Sequence, residues 1–340
     1  MLLYITIDSH FTGIGRYSGN LSKQMGYDIL QVAFNNKFND YDYSLQIRGK
    51  FKSTFLNYID YFHYRSFLNN LTGKYKIFHV TSQTVDPFII PKGIKKVVTI
   101  HDIVPFKIKD KKDYKYGIGM RFFLKKYIQY NNIITISYHV KNDILNRFKI
   151  DENKITVINP MVSDSLFRIN DKISLKKELN LPLDKKLVLS ISSNDKRKNI
   201  PTVENVMNKI NDDYQLVRVG PRIGKSITFE NIDDEKLNKI YNACDLLYFP
   251  TLEEGFGYPV IEAFKTGLPV VSSNIDVIKE ISRDSAYLIN PMDINESLEG
   301  IYNVYENSSY YIKKGLETSK YYSPEYLKPK LLEFYSRMLE

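Results

Sequence analysis

Short apolar runs rich in β-branched residues recur along the chain. They lie at Leu2 to Ile7, Ile77 to Thr81, Val97 to Ile100 and Ile133 to Ser137 in the first half, and at Leu187 to Ile191, Gln215 to Val219, Leu246 to Phe249 and Val270 to Ser272 in the second. Longer stretches between them carry apolar residues at helical spacing. Strands that are apolar throughout, rather than at alternate positions, belong to parallel sheets covered by helices on both faces. The pattern occurs twice and predicts two α/β domains. The length agrees, because 340 residues exceed what one core usually supports.

The change between domains is expected between Asn159-Pro160 and Asn170, after a strand at Ile155 to Ile158 and before a helix around Leu175 to Leu179. This gives a first domain at 1–168, a second at 169–322 and a final helix at 323–340, opened by Ser323 as cap and Pro324 at the first helical position and expected to pack back on the first domain. No repeat at solenoid period and no low-complexity stretch interrupts the reading.

Composition adds exclusions. Apolar content of 43% with 26% charged residues is that of an ordinary globular protein. The single cysteine, Cys244, excludes an internal disulfide and any multi-cysteine metal site, and it reads as a small buried hydrophobe in a protein of the reducing cytoplasm. The first residues form a strand-like run without a basic leader or a small-residue cleavage site. No apolar run approaches the ~18 to 20 residues that span a bilayer, so an integral membrane protein is not expected.

The net charge of +9 is uneven: residues 1–165 carry 24 Lys+Arg against 13 Asp+Glu, and residues 166–340 carry 24 against 26. The excess is densest from Lys92 to Lys126, with 11 basic and 3 acidic residues interleaved with Phe106, Tyr114, Tyr116, Phe122 and Phe123. Such a stretch is either a solvated face or a contact for an anionic membrane surface. Nucleic acid is not the expected partner.

The candidate chemistry is concentrated between Glu253 and Glu280. A strand ends at Pro250, a glycine-rich loop follows, a helix opens with Pro259, and Gly267 and Pro269 close it before the next strand. A loop at a strand's carboxyl end that opens a helix is where open α/β sheets bind ligands and where free N–H groups favour phosphate. Gly255 and Gly257 let a ligand approach the backbone. Glu254 lies in the loop and Glu262 about one turn into the helix, so two acceptor-only carboxylates can face the hydroxyls of one ligand.

The sequence Glu254-Gly255-Phe256-Gly257-Tyr258-Pro259-Val260-Ile261-Glu262 resembles the Glu-x7-Glu motif of the retaining family 4 glycosyltransferases, whose GT-B fold sets two Rossmann-like domains across a cleft. The resemblance implies that Glu262 holds the nucleotide ribose. Glu254, with the amides of Gly255, Phe256 and Gly257, would contact the transferred sugar. Ser193-Asn194-Asp195-Lys196-Arg197-Lys198-Asn199 is similar to the family's basic turn, which assigns Arg197 and Lys198 to the donor diphosphate. Many members carry a further Arg near that point; here Ser192 and Ser193 stand there, and that part of the clamp is unassigned.

In the first domain, Thr12-Gly13-Ile14-Gly15-Arg16-Tyr17 resembles the family's Gly-Ile-Gly-Arg-Tyr loop, expected between strand one and the helix of Leu21. Gly13 would permit approach to the diphosphate or the acceptor. By spacing alone, Gly13-x-Gly15-x-x-x-Gly19 is one residue out of step with a dinucleotide fingerprint. His101-Asp102 directly follows the strand Val97 to Ile100 and matches the family's His-Asp, implying a His that meets the donor sugar. His10, His63, His79 and His139 read as structural or surface residues. Asp40-Tyr41-Asp42 has the Asp-x-Asp spacing of metal-dependent transferases, but it lies in an Asn-rich loop with no strand before it and reads as a surface turn.

The sequence therefore predicts a retaining, metal-independent hexosyltransferase. It would use a nucleotide sugar, GDP-mannose or a UDP-hexose, and a glycan or lipid-linked acceptor, with His101, Glu254 and Lys198 as its catalytic groups. It would work in the cytoplasm, where the basic stretch could rest on the inner face of the membrane. Two other classes fit parts of the pattern: a nucleotide-sugar-binding protein without turnover, and an NAD(P)-dependent oxidoreductase.

Overall fold

A computed structural model describes residues 1–8, 12–33, 45–48, 57–107, 114–165 and 167–340. His10, Asp40-Tyr41-Asp42 and the part of the basic stretch at 108–113 lie outside the described residues. So do the side chains of Tyr114 and Tyr116. The chain divides into two compact units, one of Met1–Met161 with Leu327–Glu340, the other of Val162–Tyr326. Sequence reasoning set the corresponding changes at residues 168 and 323.

The first unit holds a seven-stranded parallel sheet in the order β3-β2-β1-β4-β5-β6-β7, formed by β1 (Leu2–Thr6), β2 (Asp28–Ala33), β3 (Leu45–Arg48), β4 (Ile77–Val80), β5 (Lys95–Ile100), β6 (Ile133–Thr135) and β7 (Ile155–Val157). Every residue of β1 and β4 is buried, as the continuous apolar runs require of strands covered on both faces. The sheet also carries a buried polar chain. His79 bonds Tyr335 Oη through Nδ1 (2.6 Å) and Thr99 Oγ1 through Nε2 (2.7 Å), and Tyr17 Oη meets the same Thr99 hydroxyl at 3.0 Å. This chain ties the helix Pro324–Leu339 to β4, β5 and the first helix of the unit.

The second unit holds a six-stranded parallel sheet, β10-β9-β8-β11-β12-β13, of β8 (Lys186–Ile191), β9 (Tyr214–Val219), β10 (Ile227–Phe229), β11 (Leu246–Phe249), β12 (Val270–Ser273) and β13 (Tyr287–Ile289). Val188, Leu216, Leu246, Val271 and Ile289 of the sheet pack with Val203, Val206, Ile301 and Val304 of the covering helices. In both sheets the strand order reverses direction beside the first strand, the doubly wound topology whose ligand crevice opens at the carboxyl ends next to that reversal. No helix among the described residues is long and apolar enough to cross a membrane.

Candidate functional site

In the second sheet the reversal falls between β8 and β11, and the two loops leaving these strands are bolted together. After β8, Asp195 caps a short 3-10 turn, Lys196–Lys198, by accepting from the Arg197 amide at 3.0 Å. Asn199 then takes the left-handed conformation (φ +56°), which Asn adopts more readily than most residues. Its Nδ2 donates to Pro250 O (3.0 Å) and Pro291 O (2.7 Å), fixing the turn against the end of β11. The Arg197 carbonyl in turn accepts from the Leu252 amide at 2.7 Å and the Thr251 hydroxyl at 3.1 Å.

That scaffold brings Arg197, Lys198 and Glu254 together. Glu254 accepts from Lys198 Nζ at Oε1, from Arg197 Nη1 at Oε2 (3.1 Å) and from Thr251 Oγ1 (3.0 Å). Arg197 Nη1 also donates to Glu253 O at 3.0 Å. The Glu254 side chain is 9% exposed and that of Lys198 12%, whereas Arg197 keeps 33% of its surface. Burial lowers the Lys198 pKa, with Glu254 opposing the shift. Asp195 Oδ2 lies 3.4 Å from Arg197 Nε, so the cluster sets two carboxylates, Asp195 and Glu254, against two cations.

The helix Tyr258–Lys265 places Glu262 one turn inside, buried, with Tyr241 Oη donating to Oε2 at 2.7 Å. Phe256 is buried against Tyr258 and Tyr322, so what it can offer a ligand is its backbone. Gly257 has a reason beyond ligand approach. It sits at φ +99°, and a Cβ there would meet Ile278 and Ile281 Cδ1 at 3.0 Å, so the fold itself demands glycine.

Sequence reasoning missed Arg218. Near Ser192 and Ser193, where a cation was left unassigned, β9 carries one whose bonds all go to protein groups: Arg218 donates to Ser192 O, to Ser192 Oγ (2.9 Å), to Ser190 Oγ (3.4 Å) and to Pro221 O (3.3 Å). The residue is fully buried, and desolvation lowers its pKa to about 10. Its signal in the sequence was an arginine between two valines in a strand, Tyr214–Val219, that is mostly buried.

In the first unit, the Gly13 motif is not a loop before the helix, as expected, but the helix itself. Thr12 caps Gly13–Met25 by accepting from the Gly15 amide at 2.9 Å, and the Arg16 amide closes the first turn on Thr12 O at 2.8 Å. A side chain at Gly13 would meet nothing within 4 Å. His101 lies immediately after β5, at the carboxyl edge where it was expected. Its ring is buried, edge-on to Tyr17 at 4.8 Å, and Nε2 faces Thr81 O at 2.8 Å. A carbonyl can only accept, so Nε2 carries the proton and Nδ1 the lone pair. Burial lowers the His101 pKa to about 4 and that of His79 to about 3. His79 and the thiol Cys244, whose pKa burial raises, are interior groups. His139 pairs with Asp143 at 3.6 Å on a helix.

Two doubly wound sheets, the second with the Arg197, Lys198 and Glu254 cluster and the buried carboxylate of Glu262 at its reversal point, define a two-Rossmann-domain protein. Solved structures agree on the fold. Sucrose-phosphate synthase from Thermosynechococcus elongatus (TM-score 0.79, 18% identity) covers 99% of this chain, which spans 98% of it. Anabaena HepE, solved in complex with UDP and glucose (0.79, 13%), covers 99% of each chain. The family models for Glycosyltransferase Family 4 and for Glycosyl transferases group 1 match residues 13–166 and 171–321, and the chain belongs to these GT-B glycosyltransferases. Among curated relatives, the O-antigen chain mannosyltransferase RfbU of Salmonella typhimurium is 29% identical over 63% of this chain and 62% of its own length. The serotype-specific mannosyltransferase WbdA of Escherichia coli is 25% identical over 59% and 28%. The matched region thus spans less than two thirds of either relative.

Proposed function

We propose that the chain is a retaining hexosyltransferase that moves a hexose from a nucleotide sugar, GDP-mannose or a UDP-hexose, to a glycan or lipid-linked acceptor in the cytoplasm. The observation that carries this reading is the Arg197, Lys198 and Glu254 cluster at the sheet reversal, followed in the chain by the buried carboxylate of Glu262 one turn into the next helix. Mannosyl transfer by RfbU and WbdA favours mannose; the UDP complex of HepE keeps a UDP-hexose in view.

In this proposal Glu262, oriented by Tyr241, accepts from the ribose diol. The donor diphosphate draws Lys198 and Arg197 away from Glu254, which becomes free to accept from sugar hydroxyls beside the amides of Gly255, Phe256 and Gly257. The bond from the anomeric carbon to the diphosphate oxygen breaks as the acceptor oxygen attacks from the same face. The acceptor's proton passes to the departing diphosphate, and the configuration is retained. The two cations and the arginine beneath the Ser192 loop stabilise the charge that develops on the diphosphate, the task a metal performs in other transferases. Neutral His101 accepts a sugar hydroxyl at Nδ1, and the open space at Gly13 admits the ligand to the helix backbone. The basic stretch from Lys92 to Lys126 is read as a contact with an anionic membrane surface that presents the acceptor.

The test is a screen of UDP-, GDP- and ADP-sugars for binding and for transfer or release of labelled hexose. One class of donor should bind and be consumed, and Glu262→Ala should lose nucleotide affinity. A Glu262→Ala variant that bound and transferred like the wild type would refute the assignment.

A further inference from the structure

At the amino edge of the first sheet, opposite the edge that carries Gly13 and His101, lies a second cavity of about 570 Å³. The length of β5, five steps from Lys95 to Ile100, separates the two edges by roughly 17 Å. Five cations line the cavity, Arg65, Lys92, Lys95, Lys96 and Lys126, and among the described residues none of them pairs with a carboxylate. Arg65 donates to the Tyr61 hydroxyl at 3.0 Å.

The remaining lining suits a body attached to an anion. Lys126 Nζ lies 5.6 Å from the ring centroid of Phe88, which is 39% exposed and stacks on Phe122, and Lys96 Nζ lies 4.8 Å from that of Tyr130. The Tyr130 residue is 92% buried, by its 8% exposure, and its hydroxyl has no hydrogen-bond partner among the described residues. No acid is among the described residues lining the cavity; Asp86, close by in sequence, accepts from the Phe88 amide at Oδ1 (2.9 Å). Burial and the neighbouring Lys92 both lower the Lys96 pKa, the mark of cations crowded without a counter-charge.

We propose that this amino-edge pocket binds a phosphate-bearing anion. A phosphate has several oxygens and a charge beyond −1, so it can meet more than one ammonium or guanidinium at once, which a single carboxylate does less well. The volume lies within the usual range of ligand pockets, and the apolar walls of Phe88, Ile90 and Met338 would cover the part that carries the phosphate. The inference uses none of the donor-site residues, but it rests in part on the membrane reading proposed above for Lys92 to Lys126, which it narrows to a phosphate held in a defined pocket.

Inorganic pyrophosphate titrated by calorimetry tests the proposal. Every protein used carries Arg197→Met and Lys198→Met, which remove both proposed donor-site cations. A Lys92→Ala/Lys96→Ala/Lys126→Ala triple is compared with a charge-matched Lys209→Ala/Lys225→Ala/Lys313→Ala control, and thermal melting verifies both folds. The amino-edge triple should bind about tenfold more weakly than the control, the loss of one charge-assisted contact. A second arm measures sedimentation with phosphatidylcholine vesicles with and without phosphatidic acid. If only vesicle binding separates the triples, the phosphate is a lipid headgroup; if only pyrophosphate does, it is a soluble compound. Equal behaviour of the two triples in both arms overturns the proposal.

Discussion

Replacing Glu254 with Gln should move stability, nucleotide affinity and turnover in different directions. The substitution removes one negative charge from a group that is 9% exposed and touched by two cations and a hydroxyl. Breaking a fully buried ion pair costs ~3–5 kcal/mol and a surface pair ~0–1 kcal/mol. With Lys198 12% and Arg197 33% exposed, and with Gln still able to accept from Thr251, an intermediate cost of about 2 kcal/mol is expected. Scanning calorimetry should show that as a fall of about 4–8 °C in the Tm of the second unit. The free nucleoside diphosphate, by contrast, should bind about tenfold more tightly, because its phosphates no longer compete with a carboxylate for the same cations. Turnover should drop about a hundredfold, near 3 kcal/mol of lost transition-state stabilisation, since the sugar exchanges a charged acceptor for a neutral amide that also carries donors. Diphosphate affinity that falls in step with turnover would refute the competition.

Tyr241→Phe removes the donor that orients Glu262, and nucleotide affinity measured by calorimetry should weaken about tenfold with little change in kcat. Gly220→Ala should cost more than about 3 kcal/mol in urea unfolding, because the backbone sits at φ +122° and a Cβ would fall 2.1 Å from Ser192 O. His101 stays neutral in the folded chain down to about pH 4 but protonates near 6.5 when unfolded, so its contribution to stability is complete above 6.5 and is lost as the pH falls between those values. The loss amounts to about 3 kcal/mol. His79 adds a loss of the same sign, and His101→Gln should flatten the fall in urea midpoint between pH 6.5 and 4 relative to the wild type.

Most central strands were legible because they are buried on both faces and therefore spell continuous apolar runs; β11 was found at Leu246 to Phe249 with both ends in place. The edge strand β7 was read too, at Ile155 to Ile158, but the interior strand β2, where Asp28 and Gln31 break the apolar run, and the edge strands β3, β10 and β13 were not. β3 (Leu-Gln-Ile-Arg) and β10 (Ile-Thr-Phe) are short, and β10 is only partly buried, so nothing in their composition separates them from loops. Local chemistry showed which loops carry the site, since Gly, Pro and Glu at fixed offsets in 253–262 reflect a turn and a helix start. It could not show that Arg197 and Lys198 lie on Glu254 more than fifty residues away, or that Arg218 rises under Ser192. Those contacts depend on strand order, which one-dimensional spacing does not contain. The Gly13 helix was misplaced for a subtler reason: glycines read as a loop, but the Thr12 cap was strong enough to start the helix through them.

The first unit takes its final piece from residues 327–340, after the whole of the second unit has been spelled out. During synthesis the ribosome therefore completes the domain of Val162–Tyr326 before the earlier one can close. Until Tyr335 emerges, His79 lacks one of its two partners, and β4 and β5 wait without the helix that covers that end of the buried chain. The domain begun first is thus finished last, and a nascent chain halted between residues 326 and 335 has every residue of the second unit while the first still exposes the surface that its later helix covers.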